Sequence, residues 1–259
     1  MNWADERVAL LFGGLGSEAD VSRDGKQNVA QAMREIGIEP IEIDIKDGLL
    51  EPLMAANPTR VFNLVHGRPG EDGVLQGLLC ALGIPFTGSG VGASALALDK
   101  PRTKQVWESL GLPTAPMVVV NDLEQADICV KRLGPELFVK PAHEGSSVGA
   151  HAVHGADQLK VAIEDALKHD TRVLVEPLLP GPEFTVGVVR GLALPVIGIR
   201  PSSEFYDYKA KYQSNETEYH IPSGLSSELE AEAQNENKFL KSIFKNFDLI
   251  SGSPLIIQN

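Results

Sequence analysis

Cysteine is scarce in this sequence: only Cys80 and Cys129 occur, each in an apolar stretch with no second Cys or His at metal-ligand spacing. That pattern excludes a disulfide framework and a zinc site, and it fits a reducing compartment, the cytoplasm. Long apolar runs are missing too, since none approaches the ~18 residues needed to span a bilayer. The first residues, Met1 to Arg7, carry Asp5 and Glu6 where a signal peptide needs an apolar core. Positive charge is in the minority: 23 Lys and Arg against 35 Asp and Glu leave a net charge of −12, which opposes binding to nucleic acid or anionic membrane. A site for a polyphosphate therefore has to be assembled locally. No internal repeat and no low-complexity tract is found.

What is present is the balance of a globular protein, 43% hydrophobic and 22% charged over 259 residues, enough for two or three domains. Arg7 to Phe12 (RVALLF) reads as a strand ending in Gly13-Gly14, and Val29, Met33 and Ile36 fall at helical intervals within Val21 to Ile36. Glu39 to Ile45 and Arg60 to Val65 read as further strands, Gly73 to Leu82 as a helix, and Gly83 to Gly90 as a strand and turn. Ala93 to Leu110 reads as one or two helices interrupted at Pro101. Alternating strands and helices predict an open parallel sheet, with functional loops at the strand C-termini.

From Pro116 the strands shorten. Met117 to Val120, Leu137 to Pro141, His151 to Val153, Arg172 to Leu179 and Glu183 to Val189 alternate with helices at Leu123 to Leu133 and Ala156 to His169. This is a small α+β unit followed by the start of another. The expected division is 1–88, 89–179 and 180–259. Asn235 to Asn259 has no Ala or Val and is dominated by Asn, Lys, Phe and Ile, a composition unlike the rest. A short helix over Glu228 to Asn246 is expected there. The strands within Glu183 to Arg200 are expected to lack sheet partners.

Several motifs carry chemistry. Gly13-Gly14 opens toward a helix N-terminus; it is either an ordinary turn capped by Asp20 or Ser22, or a place where Glu18 meets a substrate ammonium. His66-Gly67-Arg68-Pro69-Gly70-Glu71-Asp72-Gly73 is either a solvated loop or a crevice holding His66, with Gly70 and Gly73 admitting a ligand to the backbone. Lys140 ends an apolar strand and is followed at once by Glu144-Gly145-Ser146-Ser147-Val148-Gly149, a point charge beside a donor-rich loop that suits a polyphosphate without the P-loop spacing. Glu176 and Glu183 flank a turn, as edge charges or as acceptors for a purine amino group and ribose hydroxyls. Phe205 to Tyr212 is too polar for a core and too aromatic for a solvated loop, which is the composition of a lid.

FGGLGSEADVS, LVHGRPGEDGVLQGLL, GIPFTGSGVGASALALDKPRTK, FVKPAHEGSSVG, GPEFTVGV and FYDYKAKY resemble, in order and spacing, the D-alanine:D-alanine ligases of the ATP-grasp superfamily, from roughly Arg7 to Leu225. The resemblance implies an α/β protein: an N-terminal open parallel-sheet domain that binds D-alanine, then a two-part α+β ATP-grasp module, the second part incomplete. It implies ATP-dependent joining of two D-alanines through an acylphosphate for peptidoglycan precursor synthesis, and a homodimer as partner state. Glu18 would hold the first ammonium and His66 would lie near its carboxylate. Lys100 and Lys140 would contact phosphates, with Ser146 and its loop at the reacting end. Glu176 and Leu179 would border adenine, Glu183 the ribose and Lys211 the γ-phosphate, while Tyr212 would close the lid on Ser146 and Glu18. Pro177 stands where many members carry a lysine. The family's Mg²⁺ ligands, in a Gly-Arg-hydrophobic-Asp strand and a Glu-x-Asn segment, have no counterpart in this chain, so no metal ligand is assigned. On that ground an inactive remnant that binds only nucleotide or D-alanine is the other expectation.

Overall fold

The computed structural model describes residues 6–189, 192–201, 206, 211 and 216–235. They pack as two compact units, one through Ala95 and one from Leu96.

In the first unit β1 (Val8–Phe12) lies between β2 (Ile41–Asp44) and β3 (Arg60–Asn63), parallel to both. A central parallel strand is covered on both faces, which is why VALLF is an unbroken apolar run and all five residues are buried. Ala9 and Leu11 enter one core with Leu53, Val61, Leu75 and Leu79, while Val8, Leu10 and Phe12 enter another with Ala30, Met33 and Ile38. The helices are α1 (Ala19–Glu35), α2 (Leu50–Ala56) and α3 (Val74–Ala81), and the division between units falls within α4 (Val91–Leu98). The strand expected over Gly83 to Gly90 is reduced to isolated bridges at Phe86 and Gly88, the first parallel with Val61. Pro85 has no N–H to give a ladder, and only its carbonyl is used, accepting from Val61 at 2.9 Å.

The second unit begins with α5 (Lys100–Ser109). The interruption expected at Pro101 is a break between two helices at Asp99: Pro101 sits in the first turn of α5, where its missing N–H costs nothing, and Asp99 caps the helix by accepting from Arg102 N at 3.1 Å. Next come β4 (Val118–Val120), α6 (Ala126–Leu133), β5 (Glu136–Pro141), β6 (His151–His154), α7 (Ala156–Ala166) and β7 (Val173–Pro177). The strands form an antiparallel sheet in the order β4–β7–β5–β6. Side chains alternate across it. Leu137, Val139, Val173 and Val175 pack with Cys129, Leu159 and Ile163 of α6 and α7, each apolar side chain contributing about 1.5–3 kcal/mol. The opposite face is left to Phe138, Lys140, Leu174 and Glu176.

Beyond it, β8 (Glu183–Thr185), β11 (Ile197–Arg200) and β12 (Glu218–His220) form a second antiparallel sheet, and β9 (Val188–Val189) pairs with β10 (Leu192–Ala193). Two expectations are corrected. Glu183 to Val189 is two strands, and β11 has partners on both sides, supplied by β8 and by β12, which lies closer in sequence than the resemblance implied. Residues 227–235 are helical, and the rest of the expected Glu228 to Asn246 helix lies outside the described residues.

Candidate functional site

The first unit places its functional loops at the ends of β1 and β3. Glu18 takes the N-cap position of α1 and is buried at 8% exposure, but its side chain makes no capping bond. Neither Asp20 nor Ser22 caps the helix. Asp20 pairs with Arg23 at 2.7 Å, whereas the fully buried Ser22 ties two loops: its Oγ accepts from Gly13 N at 2.8 Å and donates to Leu64 O at 2.5 Å. Ser22 thus fixes the glycine turn from beneath and leaves the upper side for a ligand. His66 Nδ1 lies 2.9 Å from the Leu64 carbonyl, which only accepts, so Nδ1 carries the proton and Nε2 is the ring atom left for substrate.

Gly70 does not serve to admit a ligand: a Cβ there would meet Val65 O at 2.4 Å, so the close approach is to the protein's own chain just past β3. Glu71, not singled out from sequence, accepts from Gly67 N at 2.9 Å. Although Glu71 is exposed along much of its surface, lost hydration raises its pKa and the Glu18 charge adds to the rise, while His66 opposes it.

The second unit builds its site on the polar face of the β5–β7 sheet. Phe138 is paired with Glu176 and Lys140 with Leu174 in the antiparallel register, so Lys140 and Glu176 are diagonal neighbours on one face. Lys140 Nζ meets Glu176 Oε1 at 2.5 Å, and Lys104 Nζ meets Oε2 at 3.0 Å. Burial pushes the Glu176 carboxyl up, but Lys140 and then Lys104 outweigh it and hold the pKa below the usual value. Lys104 also donates to Thr114 Oγ1 at 2.8 Å. It was missed in the sequence, yet a signal existed: Lys100 and Lys104 are spaced i, i+4 on α5 and share a face.

Lys100 is held by backbone. Its Nζ donates to Pro141 O at 3.2 Å, to Ala142 O at 3.4 Å and to the Glu144 carbonyl. Lost hydration, and then the charge of Lys140, lower its pKa to about 8. Lys100 and Lys140 line a cavity of about 180 Å³ with Phe138, Ser146, Ser147 and Lys211. Ser146 (φ 48°) and Ser147 (φ 61°) both lie in the left-handed region, a strain that non-glycine residues accept where a loop is shaped for function. Ser147 Oγ donates to Tyr206 O at 2.9 Å and accepts from Lys211 Nζ at 3.0 Å, and Lys211 stands 5.1 Å from the Tyr206 ring centre. In a chain of net charge −12, these lysines make a local cation cluster with Glu176 as its central counter-charge. An anionic ligand would relieve their repulsion.

Glu183 Oε1 accepts from Tyr206 N at 3.3 Å, but among the described residues Oε2 is buried without a partner, as is Thr185 Oγ1 two residues along the same strand. Leaving such atoms unpaired costs roughly 1–3 kcal/mol each, which a ligand hydroxyl on that face would offset. Leu179 is 44% exposed and offers an apolar surface to a flat ring. Tyr212, and with it the expected lid contact, lies outside the described residues. Among the described residues no three His, Cys, Asp or Glu side chains converge on a point where a metal ion would sit.

Residues 106–252 match the family described as D-ala D-ala ligase C-terminus, a match that runs past Leu225. The chain is 49% identical over 226 residues to the D-alanine–D-alanine ligase of Ectopseudomonas mendocina, covering 87% of this chain and 72% of that one. It is 48% identical over 234 residues to the enzyme of the same name from Actinobacillus pleuropneumoniae, covering 90% and 77%. Among solved structures, the D-alanine–D-alanine ligase of Bacillus anthracis superposes with a TM-score of 0.79 at 27% identity, over 98% of this chain and 83% of that one.

Proposed function

The chain belongs to the D-alanine–D-alanine ligase family, and on that premise we propose how its residues divide the ATP-dependent joining of two D-alanines into D-alanyl-D-alanine, a peptidoglycan precursor. The carboxylate of the first D-alanine attacks the γ-phosphorus of ATP, giving an acylphosphate and ADP. The amine of the second D-alanine then attacks the acyl carbon; inorganic phosphate leaves and the amine loses a proton. Both steps need charge neutralisation and alignment more than covalent help from the protein.

In the first unit Glu18 pairs with the ammonium of the first D-alanine and His66 Nε2 faces its carboxylate. In the second, Lys100 and Lys140 take the phosphates, Lys211 approaches the γ-phosphate, and Ser146 with its loop surrounds the reacting end. Tyr212 closes over them. Leu179 covers the adenine and Glu176 accepts from its amino group; Glu183 Oε2 accepts from a ribose hydroxyl. The family's magnesium ion would screen the phosphate charge, but no residue described here forms its ligand set, so none is assigned to it and no step depends on it. The division into 1–88, 89–179 and 180–259, a homodimeric state and a cytoplasmic setting, where ATP is at hand, belong to the same reading. Among the described residues no helix is long and apolar enough to cross a membrane.

The observation that carries this reading is the Lys100, Lys140 and Lys211 cluster around a cavity closed by a serine-glycine loop. It is tested by incubating the chain with ATP, Mg²⁺ and D-alanine and following phosphate and dipeptide together. The expected result is equimolar formation of the two, abolished when D-alanine is omitted. ATP binding without dipeptide would overturn it and leave the binding-only remnant.

A further inference from the structure

Beside the lysine cluster lies a group of charged side chains that the reaction does not use. Asp99, the residue before Lys100, is 1% exposed. Its Oδ1 caps α5, and its Oδ2 accepts from Arg172 Nη2 at 2.7 Å. The same Nη2 lies 2.9 Å from His143 Nε2. Asp170 Oδ2 accepts from His143 N at 2.8 Å and lies 2.7 Å from its Nδ1. A carboxylate has no proton to give, so Nδ1 donates to Asp170, while Nε2 lies between Arg172 Nη2 at 2.9 Å and Asp99 Oδ2 at 3.3 Å.

We propose that Asp99, Arg172, His143 and Asp170 are positioning residues that aim the Lys100 ammonium at the nucleotide phosphates. The inference rests on reading Lys100 as a phosphate ligand. The cluster grips Lys100 from both ends. Asp99 sets its backbone at the start of α5, where Lys100 N also donates to Ala142 O at 3.1 Å. His143 lies within the segment whose carbonyls, at Pro141, Ala142 and Glu144, hold the ammonium. Arg172 joins these halves, because its own carbonyl accepts from Ala142 N at 3.0 Å. A lysine side chain otherwise has wide rotamer freedom, and fixing it before the ligand arrives removes that entropic cost from binding. The charge of Asp170 also reaches Lys100 and favours its protonated form, the form that attracts phosphate.

The test compares ATP with adenosine, which shares the base and ribose but has no phosphate, by isothermal titration on the whole chain. Asp99→Asn keeps the helix cap, since Asn caps as well as Asp, and removes the charge facing Arg172; Asp170→Asn is the second variant. Each is expected to weaken ATP about tenfold, a size typical of coupled neighbours, and to leave adenosine unchanged. In the Lys100→Met background neither change should weaken ATP further. Equal loss of ATP and adenosine in both variants, or losses that add to that of Lys100→Met, overturns the positioning role and leaves Lys100 as a ligand. Unchanged ATP affinity in Lys100→Met itself overturns the assignment of Lys100, and the inference with it.

Discussion

The loops at the ends of β1 and β3 and the polar face of the β5–β7 sheet are two ways of making a polar site from an apolar scaffold. In the parallel sheet both faces are covered, so polar groups appear only where strands end, and they are held by backbone and by one buried hydroxyl, Ser22. In the antiparallel sheet one face packs on α6 and α7 and the other carries the polar side chains, so the site is made of alternate residues along the strands, Lys140 and Glu176, with Lys104 and Lys100 brought in by α5. The first site is fragile toward changes in turn geometry. The second is fragile toward changes in charge.

The largest test of that contrast is Glu176→Gln. Two mostly buried lysines, at 9% and 15% side-chain exposure, would lose their shared counter-charge, and breaking such a pair costs on the order of 3 kcal/mol. Chemical denaturation should show the loss. Because Glu176 titrates below its unfolded value of 4.5, the stability it adds is full above that pH and disappears as pH falls through the folded value. The difference between the variant and the parent should therefore narrow on acidification, and a constant gap would mean that charge is not its cause.

Ser22→Ala probes the other side of the comparison. It strands Gly13 N in a buried place and removes one of the two donors to Leu64 O, which keeps His66 Nδ1, an expected loss of about 2 kcal/mol. That loss should be independent of pH near neutrality, and a variant as stable as the parent would show that water replaces the hydroxyl.

A smaller effect separates the ligands. His66→Gln is expected to weaken D-alanine about tenfold, near the 1.4 kcal/mol of one good hydrogen bond, and to spare ATP, whereas Lys140→Met should do the reverse. Titrating both ligands against both variants checks it; any crossed effect would break the division between the regions. The smallest effect is a labelling rate. With its pKa near 8, Lys100 is about half neutral at pH 8, where a lysine of ordinary pKa, ~10.4, is almost wholly charged. Mass spectrometry after brief acylation should find Lys100 among the fastest-labelled lysines and show ATP protecting it. Labelling no faster than at Lys160 would contradict the lowered pKa.

Strand and helix order was legible because it depends on local pattern: VALLF is apolar throughout where both faces meet apolar cores, and in ELFVKP full burial alternates where one face meets the core of α6 and α7 and the other carries Lys140. Bounds slipped where proline acts. Pro101 starts α5, so the break falls before it at Asp99, and in GIPFTGSG Pro85 has no N–H to give a strand ladder. Of the site, Lys140 and the Ser146 loop were visible because an apolar strand rarely ends in lysine and glycine without cause. Lys104 was legible only by counting four residues on from Lys100. The Asp99, His143, Asp170 and Arg172 cluster left no local trace, since its members lie up to 73 residues apart.

By itself the sequence determined which stretches are apolar on one face or two, where the chain turns, and which motifs tie it to its ligase relatives, because these follow from spacing along the backbone. Only the tertiary structure decided which charges meet. Glu176 balances Lys104 and Lys140, and Ser22 rather than a cap residue holds the Gly13 turn, because pairing depends on strand register and on which helix crosses the sheet. Those are set by long-range packing, and residues near in space need have no fixed distance in sequence.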